Sequence, residues 1–521
     1  MKKLYSLLLL TFFALPFFAN VPEVSTRLTE DYPIEMPSLK AYPIYINASV
    51  DAPDAIDFVE ITIDGQIHTA ESSTDYFYFL WTPSSYGIHE ISIKAKTVAG
   101  DENTITKNIT VTDISSSQTV TSLQDVVIEF GGENSRWYYG YYTFPQFVGA
   151  YNNIMSSLEV ECPPVSGGCD DWDRYAQIDV KAPDGNWIQI IRYITPYGVA
   201  CNHGLDVTDY MSLLQGEVEM RVFIDTWGTG GWQFTLDFDY QQGAPQYLYS
   251  NVVEVWDDTY NFGDPANLQP VETFSVTIPS GVAESYLRLS NTGHGWGQNN
   301  SSNAAEFFNA THYLDIDGVE TYSQNLFNSC NPNPDGCQPQ NGTWYYGRAG
   351  WCPGAISPPD IFDFLPYVGT TFNLDYRFHP TYQDLCHPNN PNCISGTTCP
   401  DCNDGYNPHY FVDGQIINKS NNPIIYGDIL NTPAIDNTEI YNLVLYPNPS
   451  NGYFNIKANI PDFNTRLSIH TIDGKQVKTY YFSSSEALNK YTFDVSNLPK
   501  GAYFINLENK KGTGALKFVI N

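Results

Sequence analysis

At 521 residues, with 58 acidic against 25 basic side chains and a formal charge of −33 at pH 7, this chain is ill suited to nucleic acid, whose phosphates are neutralised by clustered Lys and Arg. The length accommodates roughly three to five domains, each able to bury its own core. Aromatic residues make up 15%, and with abundant Tyr, Trp, Gly and Pro this suits strand-rich sandwiches and glycan-binding surfaces, where aromatic faces stack on sugars.

Residues 1–20 carry two lysines, an apolar run from Leu7 to Phe18 and the small residue Ala19, the pattern of a secretory signal peptide. The alternative, a membrane-spanning helix, needs roughly 20 apolar residues, and this run is shorter and interrupted by Pro16. No later stretch is apolar enough to span a bilayer. Residues 21–38 lack periodicity and read as a linker. Over 39–114 short alternating runs return: Val59, Ile61 and Ile63 share one face and Asp64-Gly65 supplies a turn, so an immunoglobulin-like sandwich of roughly seven strands is expected. It holds no cysteine and no catalytic constellation, and reads as a spacer or binding module.

A Ser/Thr-rich stretch, 115–122, precedes a large strand-dominated region, which Gly243-Ala244-Pro245 divides into units at 123–244 and 245–431. One or two helical turns are expected from Thr208 to Gln215, capped by Thr208 or Asp209 and ended by Gly216. The last segment, 440–521, reverses the charge, with nine basic against five acidic side chains. It reads as a small antiparallel sandwich, entered through Pro447 and Pro449 and turned at Gly452 and Gly474.

Ten cysteines in an exported chain read first as disulfides. The crowded run "CHPNNPNCISGTTCPDC" at 386–402, with a C-x-x-C pair and His387, also admits a zinc reading. Cys162 and Cys169 close a short loop that presents Asp170, Asp171 and Asp173 beside Trp172 and Arg174, a stiff platform for a positioned acid. A solvated acidic loop is the bland alternative. Hydrolase elbows, H-E-x-x-H and P-loop motifs are absent, and nine scattered histidines show no metal-ligand spacing, so no metal and no cofactor are expected.

The runs "YPNPSNG" at 446–452 and "LPKGAYFI" at 498–505 resemble the C-terminal sorting domain of the type IX secretion system. That resemblance implies handling by the type IX secretion machinery, passage through the outer membrane and a secreted or cell-surface location. Separately, "CDDWDRYA", "YITPYGVACNHGLDVTDYMSLLQGEVEMRVFIDTW" and "GRAGWCPG" are similar, in order, to the peptide N-glycosidase F family over about 144–421. This resemblance implies an all-β catalytic unit of two adjacent jelly-roll sandwiches, 123–244 and 245–431, with the active site in the cleft between them. The activity implied is hydrolysis of the bond between an asparagine side-chain amide and the first sugar of an N-glycan, on glycoproteins or glycopeptides.

On this sequence the family's catalytic acids fall on Asp173 and Glu306, and a third on Asp225, where the family's pattern has Glu. Arg174, Trp227, Trp296, Arg348 and Trp351 fall on cleft-lining positions. Cys330 and Cys352 match a family bridge, whereas Ala304 and Phe308 stand where the family flanks its second glutamate with cysteines. The insertion at 386–402 has no family counterpart, and the pairing of Cys201, Cys337, Cys386, Cys393, Cys399 and Cys402 stays open. A monomer is expected. The rival reading is a non-catalytic glycan-binding protein on the same scaffold. A copper monooxygenase would need His and Met ligands that the scattered histidines and five methionines do not suggest.

Overall fold

The computed structural model of the chain describes residues 21–39, 43–52, 54–72, 76–132, 134–295, 304–399, 402, 408–424, 432–433, 441–459, 465–471, 476–482, 485–509 and 512–520. The signal-peptide run 1–20 and Trp296 lie outside the described residues. Strands dominate throughout, as the composition leads one to expect, and nine of them position the site. These are β1 (Trp137–Phe144), β2 (Tyr175–Lys181), β3 (Trp187–Ile194), β4 (Gly216–Ile224), β5 (Tyr249–Asn261), β6 (Glu284–His294), β7 (Arg348–Ala349), β8 (Ala355–Ile356) and β9 (His409–Ser420).

Alternation builds the first central sandwich. Along β4, Val218, Met220, Val222 and Ile224 point inward and are buried, while Glu219, Arg221 and Phe223 point to the other face. The inward set meets Phe234, Leu236 and Phe238 of Gly231–Gln242 and Leu158 and Val160 of Tyr151–Glu161 in one core. A five-stranded sheet in the order β1, β4, β2, β3, β8 thus faces a four-stranded one. The second central sandwich pairs a four-stranded sheet, β5, β9, β6 and Asp360–Asp363, with a five-stranded sheet that includes Thr311–Ile316 and Thr371–Arg377. Trp256, Leu287, Leu289, Val412 and Ile416 pack there against Leu314, Phe372 and Leu374.

The two sandwiches meet through the outward face of β2 and β3. Arg192 donates to the carbonyls of Phe411 (2.7 Å) and Ser290 (3.2 Å), and Gln415 donates to the Gln189 carbonyl at 2.7 Å. β8, from the second half of the sequence, adds to the edge of β3. Cys201–Cys337 links the halves covalently across 136 positions, and breaking a loop of that length costs about 4–5 kcal/mol in the chain-entropy picture. Replacing both cysteines by Ser is therefore expected to lower the unfolding free energy of the two central sandwiches by several kcal/mol, read as a lower denaturant midpoint. An unchanged midpoint would show that docking, not the bridge, sets the stability of the pair.

Two expectations need correction. Residues 21–38 are not a linker: Glu23–Ser25 pairs with Ile44–Asp51, and Ile34–Glu35 pairs in parallel with Glu102–Thr112 and with Gln146–Phe147, burying Ile34 and Met36. Strands of two or three residues carry no readable period, and their partners are remote in sequence. This segment completes the N-terminal sandwich, whose four- and six-stranded sheets share one core. The expected helical turns shrink to the 3-10 turn Thr208–Tyr210, without a side-chain cap, because Asp209 instead pairs with Arg288 (2.5 Å) and Lys419 (2.9 Å) of the second sandwich. At 386–402 the preferred disulfide reading holds, with the pairs Cys386–Cys399 and Cys393–Cys402. The bridges Cys162–Cys169 and Cys330–Cys352 form as expected. The C-terminal segment is a sandwich of three- and four-stranded sheets with one short helix, Ser485–Lys490, that its sequence did not announce.

Candidate active site

Asp173 lies just ahead of β2, in a loop that Asp170 organises. Asp170 is buried and accepts from Arg174 Nε (2.8 Å) and Nη2 (3.2 Å), from the Thr226 hydroxyl (2.6 Å) and from the Trp172 amide (3.0 Å). Arg174 is thereby committed to holding the loop, in a bidentate pair that fixes direction as well as distance. The neighbouring Cys162–Cys169 bridge stiffens the approach.

Glu306 comes from the turn 304–307, anchored by the buried Ala304 and Ala305. Its carbonyl accepts from the Ala349 amide at 2.8 Å, tying the turn to β7, the strand of Arg348. β7 turns sharply at Gly350, whose φ is +84° and where a Cβ would stand 1.9 Å from the Asn291 carbonyl oxygen, so no other residue fits.

Arg348 is 0% exposed and stands between the two acids. Its Nε is 3.0 Å from Glu306 Oε1 and its Nη2 is 3.8 Å from Asp173 Oδ2. Its Nη1 donates to the Tyr346 carbonyl (2.8 Å), and its Nη2 donates to the Thr343 carbonyl (3.3 Å) and the Tyr197 hydroxyl (3.4 Å). The guanidinium lies 4.3 Å from the Phe307 ring centre and 5.2 Å from that of Trp351. Asp173 Oδ2 is buried yet accepts no hydrogen bond from the described residues. That oxygen is left free to accept from something that binds.

Two carboxyls share one cation here, and both resist ionisation. Burial raises Asp173 to about 6, against the pull of Arg348 and Tyr197. Burial, then repulsion from Asp173, raises Glu306 to about 7 against Arg348. Glu306 is therefore the group that keeps a proton after Asp173 has lost its own. For a carboxyl raised on folding, the stabilisation is complete below the unfolded value near 4 and is lost as pH rises through the folded value. Glu306→Gln is thus expected to flatten the fall in unfolding free energy between about pH 5 and pH 8, by on the order of 2–3 kcal/mol. Parallel slopes for the two proteins, measured by denaturant titration, would contradict the shared-cation electrostatics.

The other expected site residues distribute themselves unequally. Asp225, at the end of β4, is held by Arg136 and by Trp227 Nε1 (2.9 Å) rather than by Arg348. Trp227 is 56% exposed, with the Arg136 guanidinium 4.1 Å over its ring. Trp351 is buried, not cleft-lining surface: it donates to the Gly293 carbonyl at 2.8 Å and stacks on His294, forming the support under Arg348. Asp170, named with the acidic loop from sequence, holds that loop rather than facing Arg348, and Tyr197 and Phe307 were not singled out from sequence as site residues. Tyr197 lies in the "YITPYG" run and Phe307 beside Glu306, but neither residue type announces a contact to a buried arginine. Among the described residues no cluster of three or more His, Cys, Asp or Glu is arranged to hold a metal ion.

Residues 261–390 match the family described as peptide-N-glycosidase F, C terminal, and residues 444–521 match the secretion system C-terminal sorting domain. A curated relative, peptide-N(4)-(N-acetyl-beta-D-glucosaminyl)asparagine amidase F of Elizabethkingia miricola, is 36% identical over 267 residues, 48% of this chain and 74% of the relative. A crystal structure of a peptide-N(4)-(N-acetyl-beta-D-glucosaminyl) asparagine amidase superposes with TM-score 0.52 at 30% identity, covering 59% of this chain and 98% of that one. PNGase F of Flavobacterium meningosepticum, described as a glycosylasparaginase, gives TM-score 0.51 at 31% identity over 60% of this chain and 98% of that one. The all-β fold with paired jelly-roll sandwiches is thus as expected.

Proposed function

The chain belongs to the peptide-N-glycosidase F family, and on that premise we propose that it is an amidase that hydrolyses the asparagine–glycan amide bond of N-glycoproteins or glycopeptides. Its secretion-system sorting domain directs it through type IX secretion to the cell surface or the medium, where such substrates are met. Among the described residues no helix is long and apolar enough to cross a membrane. The observation that carries the reading is the convergence of Asp173 and Glu306, remote in sequence, on the guanidinium of Arg348.

An amide carbonyl is a poor electrophile, so water must lose a proton as it attacks and the oxygen that gains charge needs a donor. Asp173, ionised first, takes that proton on the carboxylate oxygen that has no donor of its own. Arg348 and the Tyr197 hydroxyl face the charge that develops on the carbonyl oxygen. Glu306, still protonated, gives its proton to the departing nitrogen. The C–N bond breaks, the asparagine becomes aspartate, and the glycan leaves as a glycosylamine that later loses ammonia to water. Asp225 acts at one remove by orienting Trp227, whose open face suits stacking on a sugar. Incubation with a denatured N-glycoprotein tests the reading: a faster-migrating, deglycosylated band is expected. Retained glycan with tight binding would reduce the protein to a glycan-binding module.

A further inference from the structure

The sheet of the first sandwich is wider than the surface that docks on it. Across β2 and β3, Gln177, Asp179 and Arg192 are buried under the second sandwich. On the same face, Tyr139 of β1 stands opposite Arg221, which in turn stands opposite Asp179. Here the cover stops: Tyr139 is 52% and Tyr141 77% exposed. A shelf of uncovered sheet therefore runs beside the docked region.

This shelf is internally braced. Arg221, held by Asp179 at 2.5 Å, lies 5.0 Å from the Trp137 ring centre and 4.5 Å from that of Trp187. Trp137 and Tyr139 are stacked at 6.0 Å and 19°, and Tyr139 meets Trp187 edge-on at 6.0 Å. A guanidinium pinned between two indoles fixes their planes, so the aromatic surface is set before anything binds. Asp257 of β5 is exposed and lies within electrostatic reach of Arg221.

The shelf is continuous with the candidate active site. β4 ends one residue before Asp225, and β2 begins just after Asp173. From Asp225 back to Glu219, opposite Tyr141, β4 advances about 3.4 Å per residue, so the shelf extends about 20 Å from the site, several sugars long. Flat, fixed aromatic faces bordered by carboxylate acceptors suit a sugar, whose C–H faces stack while its hydroxyls donate. The charge of −33 disfavours a polyanion.

We propose that the shelf of Trp137, Tyr139, Tyr141 and Trp187 is a carbohydrate subsite that holds the outer sugars of the N-glycan while its innermost sugar sits at Asp173. This rests on the amidase reading and extends it to the part of the glycan that does not react. The test uses the full chain and the double variant Tyr139→Ala/Tyr141→Ala with two glycopeptides of one peptide sequence, one bearing a complete glycan and the other only the two sugars nearest asparagine. The variant is expected to lose about tenfold in kcat/KM on the complete glycan, the equivalent of one modest contact, and to match the parent on the trimmed one. It is also expected to bind the free oligosaccharide about tenfold more weakly by tryptophan fluorescence titration. Equal losses on both glycopeptides, no loss on either, or a loss that follows peptide length instead, as for a peptide added to the edge of β1, would overturn the subsite. If the parent cleaves neither glycopeptide, the amidase reading fails, and the free-oligosaccharide titration alone decides the shelf.

Discussion

Replacing Asp173 by Asn is expected to lower kcat by about a thousandfold while the protein folds normally. The two side chains have the same shape, so the loop held by Asp170 and Arg174 has no reason to move. What disappears is the ability to accept a proton, and a positioned general base contributes on the order of 10²–10⁴-fold. The variant also removes the charge that raises Glu306, so that carboxyl should ionise at a lower pH. Thermal unfolding at about pH 8 is therefore expected at or above the parent midpoint, because Asp173 is held above its unfolded value and its ionised form costs stability there. A variant within tenfold of the parent in kcat would remove Asp173 from the chemistry.

Replacing Arg348 by Met should be the most damaging single change, because it strikes activity and stability together. With the cation gone, Asp173 and Glu306 face each other in a buried pocket with nothing to offset their charge. Removing one member of a buried ion cluster typically costs about 3–5 kcal/mol. Since both carboxyls can escape by taking up protons, the cost is expected mainly near pH 8 and to shrink near pH 5, the direction set by their raised values. Turnover should fall by more than about a hundredfold, the usual effect of losing a donor to a developing oxyanion. A loss of stability independent of pH would mean that packing against Phe307 and Trp351, and not charge, is what Arg348 contributes.

The legible and illegible parts of this chain differ for physical reasons. Alternation along β4 names its buried face directly, because the strand period is two and the core is dry. The bridge Cys162–Cys169 was legible because the two residues close a seven-position loop, whereas Cys201–Cys337, across 136 positions, depends on how two sandwiches dock. The same holds for Asp209: its acid was readable as a cap only while Arg288 and Lys419, remote in sequence, were out of view. In the site, Asp173, Glu306 and Arg348 came from motif resemblance and do converge. Tyr197 was not foreseen because a phenol becomes a partner of Arg348 only through the close packing of its ring against Gly342, where a Cβ would stand 2.3 Å from the ring. Trp351 carried the right motif but lies buried as a support rather than at the cleft surface.

Hydrolysis of an N-glycopeptide in water enriched in heavy oxygen tests most directly whether water attacks the amide carbon, as proposed for Asp173. The expected product is a peptide with aspartate at the former glycosylation site, carrying one heavy oxygen in that side chain, together with an intact glycan released first as its glycosylamine. A peptide that keeps asparagine with a single sugar attached, heavy oxygen appearing instead on the released glycan, would place the cut between sugars and contradict an amidase.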